Sequence, residues 1–131
     1  MATEDGHFEI EEHDDHLYLR ARGRFTEASA HSATAEAARV IRQEGKRWNI
    51  VTDFSNASVE ERGANKVIAD YSKGNRPYVR KSAVLGLKGV KRFFFDVVVR
   101  VSGRYDLRPF RTYEEALRWF AEPLPEERGQ E

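Results

Sequence analysis

Apolar residues recur along the chain with two different spacings, and each change of spacing marks the boundary of a predicted element. Residues 8–12 and 16–23 have the residue pattern of strands and flank a short polar turn, so they predict a β-hairpin. Pro109 lies within the last predicted strand and therefore favours an edge position for it. Runs rich in β-branched and aromatic residues predict three more strands, over residues 48–54, 78–85 and 105–110.

Four other stretches place apolar residues three or four positions apart, as helices do. Thr26 is the predicted N-cap of the first helix, and Gly45 ends it. Ser58-x-x-Glu61 and Thr112-x-x-Glu115 are capping-box signatures that predict the starts of the second and last helices. Residues 88–102 are also rich in valine and phenylalanine, as strands are, but their periodicity favours a third helix.

The predicted order is β-β-α-β-α-β-α-β-α, with about five strands and four helices. Strands that alternate with helices favour a largely parallel sheet, and the opening hairpin makes the sheet mixed. We therefore expect an α/β fold in a single domain over residues 1–121. Residues 122–131 contain two prolines and four acidic residues, which predict a flexible acidic tail.

The turn after the central strand is the predicted site, because open α/β sheets bind ligands and partners at the carboxyl ends of their strands. Its candidate residues are Asp53, Ser55, Ser58 and Arg62, which we expect to contact a partner or ligand. The alternative is that these residues only shape the turn, since Asp and Ser side chains commonly bond to nearby backbone.

Two further groups of residues are candidates for binding. Arg76, Arg80 and Lys88 belong to a basic series that could contact an anion, could pair with the acidic end of a neighbouring subunit, or could be an ordinary solvated face. Phe95 and Val99 lie off the main apolar stripe of the predicted third helix. They predict a dimer interface or the wall of an apolar pocket, and the alternative is a buried helix edge.

Charge and composition exclude several classes of protein. The 131 residues include 22 basic and 22 acidic side chains and no cysteine, so neither bulk attraction to nucleic acid nor a thiolate site is expected. No apolar run approaches the roughly 20 residues that span a bilayer. The polar, acidic N-terminus does not resemble a signal peptide. We therefore expect a cytoplasmic protein without an integral membrane segment.

No catalytic motif is present in the sequence. It contains no Gly-x-Ser-x-Gly elbow, no Gly-x-Gly-x-x-Gly fingerprint and no P-loop. His13-Asp14-Asp15-His16 has residue types that bind metals, but four adjacent residues in a hairpin turn rarely converge on one ion, so we predict a solvated turn. We expect neither an enzyme nor a cofactor or metal.

The order of elements, with Asp53-Phe54-Ser55 closing the third strand, resembles the STAS domain. The nearer likeness is to the SpoIIAA-like family of bacterial proteins related to anti-sigma-factor antagonists. It covers about residues 8–120 and includes the strand end Val84-Leu85-Gly86, a long helix after Gly89 and the Thr112-Tyr113-Glu114-Glu115-Ala116-Leu117-Arg118-Trp119 run. The resemblance implies a STAS-like fold that binds a partner or an apolar ligand.

The sequence departs from the resemblance at one segment. Antagonists switched by phosphorylation carry an Asp-Ser-Ser/Thr-Gly segment, whose serine accepts phosphate. Aligned from Asp53, this chain has Glu61-Arg62-Gly63-Ala64 there, without an acceptor hydroxyl. We therefore expect a homodimeric, non-catalytic regulatory or protein-interaction module without the usual phospho-acceptor serine. The alternative is a carrier of a small apolar or amphiphilic, lipid-like ligand.

Overall fold

A computed structural model describes residues 4–87 and 106–128 of the chain. Its centre is a five-stranded sheet in the order β1-β2-β3-β4-β5. β1 is antiparallel to β2, and the other neighbouring strands are parallel. The strands are β1 His7–Glu12, β2 His16–Arg24, β3 Trp48–Ser58, β4 Val79–Leu85 and β5 Leu107–Phe110. The predicted mixed α/β sheet is confirmed.

The described helices are α1 Glu27–Gln43, α2 Arg62–Gly74, α3 Tyr113–Ala121 and the four-residue α4 Pro125–Arg128. The helix predicted over residues 88–102 lies outside the described residues. Within the described ranges, no helix is both long and apolar enough to cross a membrane.

α1 and α2 pack together on one face of the sheet. Thr26 caps α1 as predicted, because its side chain accepts the Ser29 N–H at 3.1 Å. The sheet-facing side of α1 is mostly alanine, which allows a close approach to the strands. Its buried residues are Ala30, Ala33, Thr34, Ala37 and Ile41.

α3 packs on the opposite face of the sheet, and Thr112 caps it as predicted by accepting the Glu115 N–H at 3.2 Å. The core on this face is more aromatic than the core under α1 and α2. It is formed by Tyr18, Val51, Ala83, Leu85, Ala116, Trp119 and Phe120. Because helices cover both faces of the sheet, the loops lie at the ends of its strands.

The start of α2 differs from the prediction. β3 continues to Ser58, which pairs with Arg24 of β2 and accepts the Phe25 N–H at 2.8 Å. Strand pairing continues to Ser58 and residues 59–61 are not helical, so the predicted Ser58 cap is wrong. α2 begins at Arg62 instead, with Glu61 as an N-cap that makes no side-chain capping bond.

The segment after α3 packs against the domain beyond residue 122, where the flexible tail is predicted to begin. Leu124 is only 3% exposed, and Glu127 pairs with Arg80 of β4 at 2.7 Å. The reason is that Arg80 and Leu124 supply a charged and an apolar contact at the C-terminal end of α3. The flexibility of the segment stays a prediction.

Candidate functional site

The candidate site lies where β3 outruns its neighbour β4. Asp53 pairs with Leu85 in the last rung between these strands, and β3 then continues beside β2 alone to Ser58. Leu85 in turn pairs with Phe110 at the end of β5. The carboxyl ends of β4 and β5 therefore lie beside Asp53, at the edge of the sheet where the sequence predicts a site.

Asp53 holds a small hydrogen-bonded cluster at this position. Its Oδ1 accepts the Ser55 backbone N–H at 2.9 Å and the Ser55 hydroxyl at 2.6 Å. Its Oδ2 accepts the Tyr18 hydroxyl at 2.9 Å. The structure thus brings two of the predicted site residues, Asp53 and Ser55, into direct contact.

Opposing effects set the pKa of Asp53. Partial burial acts to raise this pKa, but the hydrogen bonds from Ser55 and Tyr18 and the charge of Arg20 act to lower it. The net result is a pKa below the ordinary value for aspartate. Asp53 is therefore an anion at neutral pH, with both carboxylate oxygens engaged.

Gly86 brings the end of β4 against Ser55. Its φ is +79°, and a Cβ atom there would lie 2.6 Å from Ser55 Oγ. Only glycine combines this left-handed backbone conformation with such a close approach. Gly86 therefore fixes the position of Ser55 at the edge of an open cleft.

That cleft has a volume of about 500 Å³ and opens at the carboxyl edge of the sheet. It combines apolar side chains with one cation and one carboxylate. Its lining residues are Ser55, Gly86, Leu87, Pro109, Phe110, Arg111 and Glu115. Sequence reasoning missed Phe110, Arg111 and Glu115 as site residues. The sequence signal that could have identified them is the Thr112 cap, because a helix that starts directly after a parallel strand starts at the carboxyl edge of the sheet.

Ser58 and Arg62 lie further along the chain, in the connection from β3 to α2, and their surroundings differ from those of Asp53 and Ser55. Ser58 is half-buried beside β2, whereas Arg62 is exposed at the start of α2. Between them, the Glu61 carboxylate accepts the Glu27 N–H at 3.3 Å and lies 3.9 Å from Arg24. The connection is therefore held against the start of α1.

Neither Arg76 nor Arg80, the two predicted anion contacts among the described residues, lines the cleft. Arg76 is exposed in a 3₁₀ turn before β4, at the amino edge of the sheet. Arg80 donates to both Glu127 carboxylate oxygens, at 2.8 and 2.7 Å, and to the Phe120 carbonyl at 2.9 Å. Lys88, like Phe95 and Val99, lies outside the described residues.

The hairpin turn is less solvated than predicted, because His16 is only 4% exposed. Its Nδ1 lies 2.7 Å from an Asp15 carboxylate oxygen, and its Nε2 is hydrogen-bonded to the Tyr113 hydroxyl. The His13 ring stacks on it at a centroid distance of 4.5 Å. The hydrogen bond from His16 holds the pKa of Asp15 below its usual value, and burial raises the pKa of Tyr113.

His16 thus links the hairpin to α3 with both ring nitrogens occupied. Among the described residues, no group of three or more histidine, aspartate or glutamate side chains is arranged to hold a metal ion.

Two solved structures share this architecture at low sequence identity. An uncharacterised DUF3478-family protein with a SpoIIAA-like fold, from Shewanella loihica PV-4, superposes with a TM-score of 0.65 and 13% identity, covering 92% of this chain and 99% of its own. The anti-sigma factor antagonist SpoIIAA, in its unphosphorylated form, superposes with a TM-score of 0.62 and 15% identity, covering 86% of this chain and 96% of its own. No protein-family model and no curated protein matches the sequence. The agreement over nearly the full length shows that the chain has a STAS/SpoIIAA-like fold.

Proposed function

We propose that this protein is a non-catalytic, STAS-like regulatory module that binds a protein partner through the connection between β3 and α2. The observation that carries the proposal is the extension of β3 beyond β4, which leaves Ser55 and Asn56 exposed on a ridge. Arg62 is exposed at the end of the same connection. Exposed polar residues on a rigid, paired strand suit recognition of another protein.

The segment that follows the ridge supports a module without the usual phosphate switch. Residues 61–64 carry no hydroxyl group. A Cβ atom on Gly63 would lie 2.6 Å from the Glu27 carboxylate, so a serine at position 63 requires Glu27 to move. We therefore expect partner binding that does not depend on a phosphorylated residue in this segment.

The geometry of the polar clusters supports a non-catalytic role. Both Asp53 oxygens accept hydrogen bonds within the protein, and both His16 nitrogens are engaged. A general base needs a free lone pair within reach of a substrate proton. These contacts give Asp53 and His16 structural roles and reduce their availability as general bases.

A photo-reactive amino acid at position 62 tests the partner surface. In the native host, we expect it to crosslink a specific protein. The same residue at position 31, on the exposed side of α1, is the control and should not crosslink that protein. Equal crosslinking from both positions would contradict a partner site at the ridge.

Self-association belongs to the same proposal, and we expect a cytoplasmic homodimer that uses Phe95 and Val99. Native mass spectrometry should give twice the chain mass of 15.1 kDa. Phe95→Glu should give monomers, because a buried unpaired carboxylate disfavours an apolar interface. A dimer of unchanged stability in Phe95→Glu would count against this interface.

The cleft favours a second candidate function, the carriage of a small amphiphilic ligand. Its volume of about 500 Å³ falls within the usual size range of small-molecule sites, and Leu87, Pro109 and Phe110 give it an apolar wall. Gentle ionisation of freshly purified protein should then show a subunit with a few hundred extra daltons that are lost on collisional activation. A clean mass from protein prepared under several conditions would argue against a carrier.

A further inference from the structure

The polar groups that line the cleft differ in whether they accept hydrogen bonds from a ligand or donate them to it. The Ser55 hydroxyl donates its proton to Asp53 at 2.6 Å. Towards the cleft, Ser55 therefore presents oxygen lone pairs and acts as an acceptor. The Asp53 carboxylate keeps this polarity fixed, because it is ionised at neutral pH and can only accept.

Glu115 adds a second acceptor to the same cleft. One of its carboxylate oxygens accepts the Thr112 hydroxyl at 3.1 Å, and this contact ties Glu115 to the first turn of α3. Glu115 makes no ion pair with a cation among the described residues. The cleft therefore has an acceptor-rich part that suits a positively charged hydrogen-bond donor.

Arg111 supplies the opposite polarity. It is exposed, lines the same cleft, and forms no ion pair with Glu115 or with any other described carboxylate. A guanidinium group presents a planar fork of donors that matches a carboxylate. A cation and a carboxylate that share a cleft without pairing leave both charges available to a ligand.

The apolar wall completes the recognition pattern. Leu87, Pro109 and Phe110 are each partly exposed within the cleft. The Phe110 ring is held by Trp119 at a centroid distance of 5.3 Å, so its orientation is supported by the core. An aromatic or aliphatic ligand side chain can pack against this wall.

We propose that the cleft binds a small zwitterion with an apolar side chain, the chemistry of an apolar α-amino acid. The ligand carboxylate binds Arg111, its ammonium group donates to Glu115 and Ser55, and its side chain packs on Phe110 and Leu87. This inference rests on the carrier function proposed above and names the ligand class for it.

Three matched probes test the proposal on the full chain by amide NMR titration of the signals of Ser55, Gly86 and Arg111. L-phenylalanine has both charged groups, hydrocinnamate lacks the ammonium group, and phenethylamine lacks the carboxylate. We expect L-phenylalanine to bind at least roughly tenfold more tightly than either analogue, because each analogue leaves one charged partner unpaired.

Variants assign each charge to its residue. Arg111→Gln should weaken L-phenylalanine binding by roughly tenfold and leave phenethylamine binding unchanged. Glu115→Gln should weaken L-phenylalanine binding and leave hydrocinnamate binding unchanged. Arg108→Gln is the matched control: Arg108 is an exposed arginine on β5 that lies over the Trp119 ring and does not line the cleft, so its loss should change none of the affinities.

The outcomes separate this inference from the carrier function. Decanoate serves as a fourth probe. Equal affinity for the three matched probes, or binding of decanoate alone, would overturn the proposal that the ligand is a zwitterion, and would leave a carrier of another ligand. No perturbation of the cleft signals by any probe, decanoate included, would overturn both.

Discussion

At the scale of single residues, the contact between Gly86 and Ser55 organises the site. Asp53 orients Ser55 through two hydrogen bonds, and Gly86 lets the end of β4 lie directly against it. Any side chain at position 86 would both strain the backbone and push Ser55 away. The geometry of the cleft therefore requires that residue 86 has no Cβ atom.

Gly86→Ala should lower the free energy of unfolding by more than about 2 kcal/mol, because a left-handed conformation and a steric clash act together. Urea denaturation followed by tryptophan fluorescence measures this loss. Gly45→Ala is the control: Gly45 also has a positive φ, +67°, but no atom lies within 4 Å of the added carbon. It should cost only about 1 kcal/mol. Equal losses in the two variants would show that the contact with Ser55 is not restrictive.

At the scale of elements, β4 anchors the C-terminal end of α3 through two adjacent basic side chains. The buried Lys81 ammonium group donates to the carbonyls of Trp119 and Glu122. Arg80 donates to the Phe120 carbonyl and to the Glu127 carboxylate. The last carbonyls of a helix have no partners within the helix, so these donors satisfy them from outside.

Glu127 makes this anchoring dependent on pH. The hydrogen bond from Arg80, aided by the Leu124 N–H, lowers the pKa of Glu127 to about 2, below its ordinary value of 4.5. The stabilisation is therefore complete above about pH 4.5, decreases as the pH falls, and is lost below about pH 2. We expect the protection of the Leu124 amide against hydrogen exchange to follow the same curve.

Glu127→Gln should reduce the protection of the Leu124 amide at neutral pH as well, because the charged partner of Arg80 is gone. Glu122→Gln is the matched control, since Glu122 contributes its backbone carbonyl to Arg80 and Lys81. Unchanged protection in Glu127→Gln would mean that Leu124 burial alone holds the segment.

At the scale of the whole molecule, the sheet separates two cores that differ in character. Phe25 lies at the centre of the first core, with no exposed surface and its ring 5.5 Å from Phe8. Its backbone N–H bonds to the Ser58 carbonyl, so the same residue also ties the start of α1 to the end of β3. The position of the ridge thus depends on this core.

Phe25→Ala should lower the free energy of unfolding by about 3–5 kcal/mol, because it removes buried apolar area and leaves a cavity. Thermal and urea denaturation both report this loss. Leu117→Ala, at a position that is 37% exposed, should change stability by no more than about 0.5 kcal/mol. A loss in Phe25→Ala as small as that of the surface variant would place the stabilising core elsewhere.

The sequence alone determined the features that depend on near neighbours in the chain. The Thr26 and Thr112 caps are confirmed because a cap bonds to a backbone only three residues away. The order of the described strands and helices follows from periodicity, and the mixed sheet with Pro109 at its edge agrees with that order. The caps and the element boundaries are set by residues within the same stretch of sequence.

Only the tertiary structure decided the features whose partners lie far apart in the chain. Ser58 has the local signature of a cap, but β3 pairs with β2 as far as Ser58 and α2 begins only at Arg62. His16 is buried because Tyr113 reaches it from α3, and Ser55 shares a cleft with Arg111 and Glu115 because three strands end at one edge. Local patterns carry no information about such contacts, since the packing of whole elements brings these side chains together.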